Sequence, residues 1–436
     1  MINRVEADIG GLELNERVSV ANWFVFGLTI LFLAYFAYAT PIIVLGVWRY
    51  KKRGFGDEPG EEWDPPNVSV LVPVKNEEKV VGRLLETLVR LDYPKENLEV
   101  VVVEDESKDR TLEICREYSE KYSWIKVFHR DSSLGKGDAL NYAFHKSKGE
   151  IIATFDADDV PESQAVTKAL RYFNNPETGA VHGYHRVLNL RESLISRLAA
   201  YENFVYRLSN DGKYALRLFV TFSGSNTFFR RTALEKVGLW DPRSLVEDAE
   251  LSVRFARAHI ATRLAPVECW QEMPAKVGSL FRQRIRWSGG NILTGVKHRN
   301  AWRSMSWAKT LDMEMLMMSP ILAVFTFIAW VILGLGVIRV GLPFGTLLPL
   351  LSVMVVLNLV YVGSLLAAVF SAARTDVVSH LGLVLATYPY ATLVSLANLA
   401  ALFLILRKGA RLWLKTEKTG YVDAQLTDHG SLTGTV

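Results

Sequence analysis

Hydrophobic positions along this chain change period several times, and each change marks a different kind of element. Trp23 to Trp48 is a continuous apolar run whose polar members are Thr and Tyr, with no charge. At ~1.5 Å per helical residue it is long enough to cross a ~30 Å hydrocarbon core. Its length and the mixed acidic and basic leader before it, residues 1–22, argue against a cleaved signal peptide. Arg49, Lys51, Lys52 and Arg53 follow at once, and the positive-inside rule then puts the next segment in the cytoplasm. Residues 49–66 read as a linker, with Gly56, Pro59, Gly60 and Pro65 among acidic residues.

From Asn67 short β-rich runs alternate with helical stretches. Val68–Val74, Leu98–Val103, Ile125–Phe128 and Ile151–Phe155 predict buried strands, and Lys79–Leu91, Asp109–Lys121 and Lys136–Lys146 predict helices. The βαβαβαβ order predicts an α/β domain with a mainly parallel sheet and helices on both faces. Ligands of such sheets bind beyond the strand C-termini. The polar signals fall there: Lys75-Asn76-Glu77-Glu78, Glu104-Asp105-Glu106-Ser107 and Asp156-Ala157-Asp158.

Two amphipathic stretches come next, Ser193–Leu208 and Val277–Lys297. The first carries Leu194, Leu198, Tyr201, Val205 and Leu208 at helical spacing; the second sets Arg282, Arg284, Arg286 and Lys297 among Leu280, Phe281, Ile285 and Trp287. Both are compatible with packing inside the domain. For the second, the cations and the apolar runs that follow favour a helix lying in a membrane interface, which sets a catalytic segment at 67–274 and an interfacial one at 275–304. Leu316–Ile338, Leu347–Phe370 and Val377–Leu406 then form a C-terminal membrane region, 316–406. Three crossings would leave the basic tail, 407–436, outside. Val377–Leu406, overlong and interrupted by Pro389, is therefore expected to be split or re-entrant.

Composition fits a catalytic domain joined to membrane segments: half of the 436 residues are hydrophobic, mean hydropathy is +0.14, and 22% are still charged. A net charge of +4 is too small to argue for nucleic acid. Cys115 and Cys269 lack metal-ligand spacing along the chain and read as isolated thiols.

Asp156 and Asp158 end a strand. Carboxylates two apart can turn into one pocket, where hard oxygens suit Mg²⁺ or Mn²⁺, although a turn rich in Asp has the same pattern. Asp105, also at a strand end, could accept from a base N–H. Lys136 in Gly135-Lys136-Gly137 could meet phosphate, or be a surface turn. Glu247-Asp248 could supply a general base or merely open a helix. Arg286 and Trp287 offer a fixed cation and a flat ring, which suit either a sugar diphosphate site or membrane anchoring.

Taken in chain order, these segments resemble the membrane-embedded family 2 glycosyltransferases, which include the hyaluronan, chitin and cellulose synthases. The resemblance is carried by Val72-Pro73-Val74-Lys75-Asn76-Glu77, Val103 to Thr111, Gly135 to Asn141, Asp156-Ala157-Asp158, Ser223-Gly224-Ser225-Asn226, Val246-Glu247-Asp248, Gln283-x-x-Arg286-Trp287 and Trp413 to Lys418. It implies a GT-A-like domain inserted between transmembrane helices of a multi-pass cell-membrane protein, with its catalytic face cytoplasmic. It implies that Asp105, Lys136, Asp156, Arg286 and Lys415 bind the nucleotide donor and that Asp158 ligates the metal. Asp248, with Glu247, would carry catalysis, while Gln283, Trp287, Ser225 and Asn226 would face the acceptor. Val246 departs from the Thr common in the synthases, and Glu106 stands where Gly is frequent.

The implied activity is inverting, metal-dependent hexosyl transfer from a nucleotide diphosphate sugar, UDP-linked by preference, to a hydroxyl of a saccharide or lipid. Elongation of a β-linked polysaccharide is the first expectation and a single transfer making a glycolipid is the second. A non-enzymatic receptor is disfavoured because every candidate carboxylate is present.

Overall fold

The computed structural model describes residues 65–132, 134–340, 377–408, 416 and 418–423, together with 33–35, 37–52 and isolated positions before them. In the last two helices the side chains of 329, 330, 332–340, 377–385 and 408 fall outside the description. The leader at 1–22, the Gly54–Asp64 part of the linker, the apolar run Leu347–Phe370, Lys415 and the tail from 424 also lie outside the described residues.

The four expected strands form as β1 (Val68–Val74), β2 (Leu98–Asp105), β3 (Ile125–Arg130) and β4 (Ile151–Thr154). Between them run α1 (Val81–Val89), α2 (Thr111–Lys121) and α3 (Lys136–Lys146). β1 pairs with both β2 and β4, and β2 with β3, all in parallel. Residues alternate in side, as a pleated strand requires. Val70, Val72, Val100 and Val102 join one core layer with Leu84, Leu88 and Cys115. Leu71, Val101 and Val103 join the other with Leu140 and Phe144.

Beyond β4 the sheet changes character. β5 (Val160–Pro161), β6 (Thr178–Val187), β7 (Thr227–Arg230) and β8 (Ala261–Gln271) complete an eight-stranded sheet of order β3-β2-β1-β4-β7-β6-β8-β5. β7 is antiparallel to both β4 and β6, and β5 is antiparallel to β8, whereas β6 and β8 are parallel. The sheet is therefore mixed: parallel as predicted through β4, and mostly antiparallel in the half for which no strands were predicted. Strand order reverses between β1 and β4, and the crevice beyond their C-terminal ends is where α/β sheets bind ligand.

The remaining helices are α4 (Ala165–Leu170), α5 (Leu194–Ala215), α6 (Arg231–Val237), α7 (Glu247–Arg257), α8 (Val277–Lys297), α9 (Trp307–Met317), α10 (Ser319–Val340) and α11 (Val377–Lys408). Ser193 caps α5 by accepting from the Ser196 amide. Helical residues 37–52 pack on α5 through Ile43 and Leu208, so the helix expected to end at Trp48 continues to Lys52.

α8, expected in a membrane interface, packs much of its surface on protein while Val277, Trp287 and Val296 stay exposed. Gln283, Arg284, Ser288 and Thr294 are buried along with Leu280, Ile285 and Ile292, so polar as well as apolar positions face protein. Close approach explains this: a Cβ at Gly290 would lie 2.7 Å from both Val246 methyls, which brings α8 against the start of α7. α11 is one helix with Pro389 inside it, not a split or re-entrant element. A single missing backbone donor is tolerated among many intact hydrogen bonds. The run expected at Leu316–Ile338 forms α10 from Ser319 onward, and α10 is bent by 55° from α9 where Ser319-Pro320 opens it. By length and composition, one helix among the described residues, Ala386–Arg407, can cross a membrane, and the bent pair reaches that criterion only when taken together.

Candidate active site

Lys136 begins α3, and its ammonium reaches three other segments. Nζ lies 2.6 Å from Oδ1 of Asp156 after β4, 3.2 Å from Oε1 of Glu247 in the first turn of α7, and donates to the Gly224 carbonyl at 3.1 Å. The Gly224 backbone runs close beneath the ammonium: a Cβ there would stand 2.6 Å from Nζ and would have to displace it. Burial alone would lower the Lys136 pKa, but Asp156, Glu247 and Asp248 outweigh it and hold the ammonium charged. Four separated sequence signals thus meet at one cation.

Asp248 follows Glu247 on α7. Burial, reinforced by the neighbouring Glu247, raises its carboxyl to about 6, against the opposing pull of Lys136 and Arg286. Arg286 donates through Nη1 to the Leu245 carbonyl at 3.4 Å, which keeps α8 beside the acidic turn. Val246 packs its isopropyl group against Gly290, so the residue that departs from the synthases' Thr serves helix contact.

The two carboxylates of the Asp156-Ala157-Asp158 turn are each paired with a lysine. Burial raises Asp156, with Lys136 opposing. Asp158 is also buried, but Lys418 outweighs that cost and holds its carboxyl below the ordinary range. Lys418 donates to Oδ2 of Asp158, and the Glu272 amide donates to the same oxygen at 3.2 Å. Glu272 in turn accepts from the amides of Thr419 and Gly420 at 3.1 and 3.2 Å and from Arg83 at 2.8 Å. Two carboxylates that each hold a cationic group suit a divalent ion, which often takes one or two protein carboxylates and completes its shell with phosphate.

A second group of donor atoms lies behind this turn. Asp159, His185 and Cys269 each place one donor atom within 4.8 Å of the others, so the fold gives Cys269 metal-ligand neighbours that spacing along the chain did not reveal. Asp158 is not among the three. Both cysteines are buried and free.

Asp105 ends β2 and is 4% exposed. Arg130, the last residue of β3, donates through Nε to its Oδ1 at 2.8 Å and through Nη1 to Asp138 on α3 at 2.5 Å. Glu106 adopts φ 63°, the left-handed conformation that glycine reaches at less cost, so the turn keeps that geometry without the glycine.

Ser225 and Asn226 do not line an open acceptor wall as expected. Asn226 is fully buried, and its amide donates to the Tyr184 and Val267 carbonyls. Ser225 is buried against His185, with Oγ 2.9 Å from Nε2. Their side chains brace the sheet beneath the site. Gln283 is buried in α8, and its Oε1 has no hydrogen-bond partner among the described residues. Trp287 remains 39% exposed, with the Arg284 guanidinium 4.3 Å from its ring centroid.

Arg130, Glu272 and Lys418 were absent from the expected site. Lys418 belongs to the Trp413–Lys418 stretch, where Lys415 was expected to bind donor. Arg130 and Glu272 carried no local signal, since each becomes functional only through a partner brought in by the sheet.

Residues 69–238 match the family model "Glycosyl transferase family 2". "Probable glycosyltransferase YdaM" of Bacillus subtilis is 39% identical over 232 residues, 52% of this chain and 55% of the relative. A beta-monoglucosyldiacylglycerol synthase of Synechocystis is 30% identical over 263 residues, 57% of this chain and 53% of the relative. The chain thus spans about half the length of these two relatives. A poly-beta-1,6-N-acetyl-D-glucosamine synthase of Staphylococcus epidermidis is 26% identical over 378 residues, 84% of this chain and 88% of the relative. Among solved structures, the mannosyltransferase PcManGT of Pyrobaculum calidifontis, in complex with GDP-Man and Mn²⁺, has a TM-score of 0.57 at 22% identity. It covers 89% of this chain and 99% of its own, a likeness of fold.

Proposed function

We propose, given the family 2 glycosyltransferase domain over residues 69–238, that the chain catalyses inverting transfer from a nucleotide diphosphate sugar to a hydroxyl acceptor. The observation that carries this reading is the meeting of Asp156, Glu247 and Lys136 beside Asp248. A donor-side carboxylate, a phosphate-seeking cation and a carboxylate of near-neutral pKa stand together there.

Asp248 accepts the proton of the acceptor hydroxyl as its oxygen attacks the anomeric carbon. The bond from that carbon to the diphosphate oxygen breaks, and the nucleotide diphosphate leaves with the electron pair. One displacement from the opposite face turns an α-linked donor into a β-glycoside. Lys136 and Arg286 offset the negative charge that grows on the leaving group. Asp105, oriented by Arg130, meets the nucleotide base, and Trp287 gives the acceptor a flat apolar wall. Asp158, with Asp156 beside it, would hold Mg²⁺ or Mn²⁺, which when bound neutralises the diphosphate.

The favoured product is a β-linked polysaccharide made from a UDP-sugar, supported by the long alignment with the poly-beta-1,6-N-acetyl-D-glucosamine synthase. A glycolipid is the second reading, supported by the shorter but more identical alignment with the glucosyldiacylglycerol synthase. A multi-pass membrane placement with a cytoplasmic site is part of the proposal, motivated by Ala386–Arg407 and by the apolar runs of the sequence.

Purified full-length protein given radiolabelled nucleotide sugars and either oligosaccharide or diacylglycerol tests these readings. A high-mass, glycosidase-sensitive product supports the first, and a single organic-extractable glycolipid replaces it with the second. No transfer from any donor sinks both. Release of the protein from membranes by alkaline carbonate would overturn the membrane placement.

A further inference from the structure

α11 reaches the acceptor side of the site through a polar relay that the transfer chemistry does not use. Arg284 lies one helical turn before Trp287 on α8, so the two side chains share a face. Its guanidinium stacks on the Trp287 ring, with Cζ 4.3 Å from the centroid. Nη2 donates to Oε2 of Glu202 on α5 at 2.6 Å and to the hydroxyl of Tyr390 on α11 at 3.1 Å. The Tyr390 hydroxyl itself donates to the same Glu202 oxygen, closing a three-membered ring of hydrogen bonds. Arg284 Nε and Nη1 are buried and have no hydrogen-bond partner among the described residues. Its polar contacts among the described residues are therefore those with Glu202, Tyr390 and the indole.

Further along the two helices, Ile285 packs with Ala397 and Ala401, and buried Ser288 bonds to Asn398. The contacts ascend together along α8 and α11. The Tyr390 level bonds to the residue beneath Trp287, whereas Asn398 bonds to Ser288.

We propose that Tyr390 is a positioning residue for the acceptor. It acts through Arg284 to fix the plane of the Trp287 ring, so the membrane-length helix sets how tightly a hydroxyl acceptor is held. A planar guanidinium with one nitrogen tied at two points cannot rotate freely, and the ring stacked on it inherits that restraint. The inference rests on the acceptor-side reading of Trp287. It predicts an effect on acceptor affinity separable from donor binding and chemistry.

The test is steady-state kinetics of the detergent-solubilised full chain, using whichever acceptor the wild type glycosylates, a β-linked oligosaccharide or diacylglycerol in mixed micelles. Tyr390→Phe keeps the ring and removes the relay hydroxyl. It should raise acceptor KM about fivefold, the size of an ordinary net hydrogen bond because the effect reaches the acceptor through Arg284, with donor KM unchanged. In an Arg284→Met background the same change should have no further effect. Asn398→Leu, which alters the same helix pair away from Arg284, should leave acceptor KM near wild type. Equal effects from Tyr390→Phe and Asn398→Leu would overturn the proposal in favour of general helix packing. So would a shift in donor KM, or additive effects with Arg284→Met. A wild type that binds nucleotide sugar but transfers to neither acceptor would instead sink the acceptor reading beneath it.

Discussion

Lys136 places its ammonium 2.6 Å from Oδ1 of Asp156, joining the first turn of α3 to the end of β4. Replacing it with Met would leave buried Glu247 and half-buried Asp156 and Asp248 without their shared counter-charge. The expected cost is about 3 kcal/mol at neutral pH, typical of a buried pair that loses one partner. Protonating the carboxylates relieves that cost, so the deficit should shrink as pH falls. Thermal unfolding of both proteins from pH 5 to 8 checks this; a deficit independent of pH would deny Lys136 the role.

Asp248 sets the acid limb of the transfer rate. Its carboxyl is raised to about 6 and must be ionised to accept a proton, so kcat should rise with pH through about 6 and then level. Asp248→Asn should lower kcat by ~10³-fold while nucleotide binding persists. A flat profile from pH 5 to 8 would take the base role away from Asp248.

Arg130 holds Asp105 and Asp138 at once, through different nitrogens. Lysine has a single charged centre and cannot reproduce that fork. Arg130→Lys should therefore weaken nucleotide binding by about tenfold, close to the loss in Arg130→Ala. Calorimetry with UDP and GDP measures it, and near-normal affinity in the lysine variant would contradict the clamp.

The contrast between Lys136 and Arg130 shows what the sequence made legible. Lys136 sits between two glycines after a strand, and Asp156-Ala157-Asp158 ends another, so local pattern marked both. Strands β1, β2 and β4 were readable because they are short, β-branched and buried on both faces, and the edge strand β3 because Ile125, Val127 and Phe128 form a short apolar run. β6 to β8 were not, because Thr178–Val187 and Ala261–Gln271 mix charged residues into the apolar pattern and pair with strands distant in sequence. α5 was expected to end at Leu208, where the sequence turns polar. It continues because Tyr184 bonds to Asp211 and Asp312 pairs with Lys213, partners no local pattern can supply. The orientation of Ser225 and Asn226 was illegible for the same reason: their motif marked a place in the fold, and the fold turned their side chains inward.

Lys418 competes with a divalent ion for Asp158. Lys418→Ala would remove the cation that holds this carboxyl low and leave a buried oxygen seeking charge. Mn²⁺ binding to the nucleotide-free protein should tighten by about fivefold, reflecting the relieved competition. Titration calorimetry reads it directly. Unchanged or weaker Mn²⁺ binding would remove Asp158 from the ion's ligands or Lys418 from competition.

Gly290→Ala should cost about 2 kcal/mol, because its Cβ would strike the Val246 methyls one residue from the acidic pair. Trimming the obstacle with Val246→Ala should restore part of both stability and turnover. Thermal unfolding and kcat of the single and double variants decide it, and purely additive losses would refute the contact.

The basic stretch at the end of α11 has a geometric meaning beyond its charge. Lys408 closes the helix, and Lys418, ten positions later, bonds to Asp158. A chain of that length reaches at most ~35 Å when fully extended. The helix end and the Asp158 carboxylate are thus on a short leash. While Lys418 stays on Asp158, any tilt or translation of α11 larger than that slack must either drag the Asp156–Asp158 turn or release it.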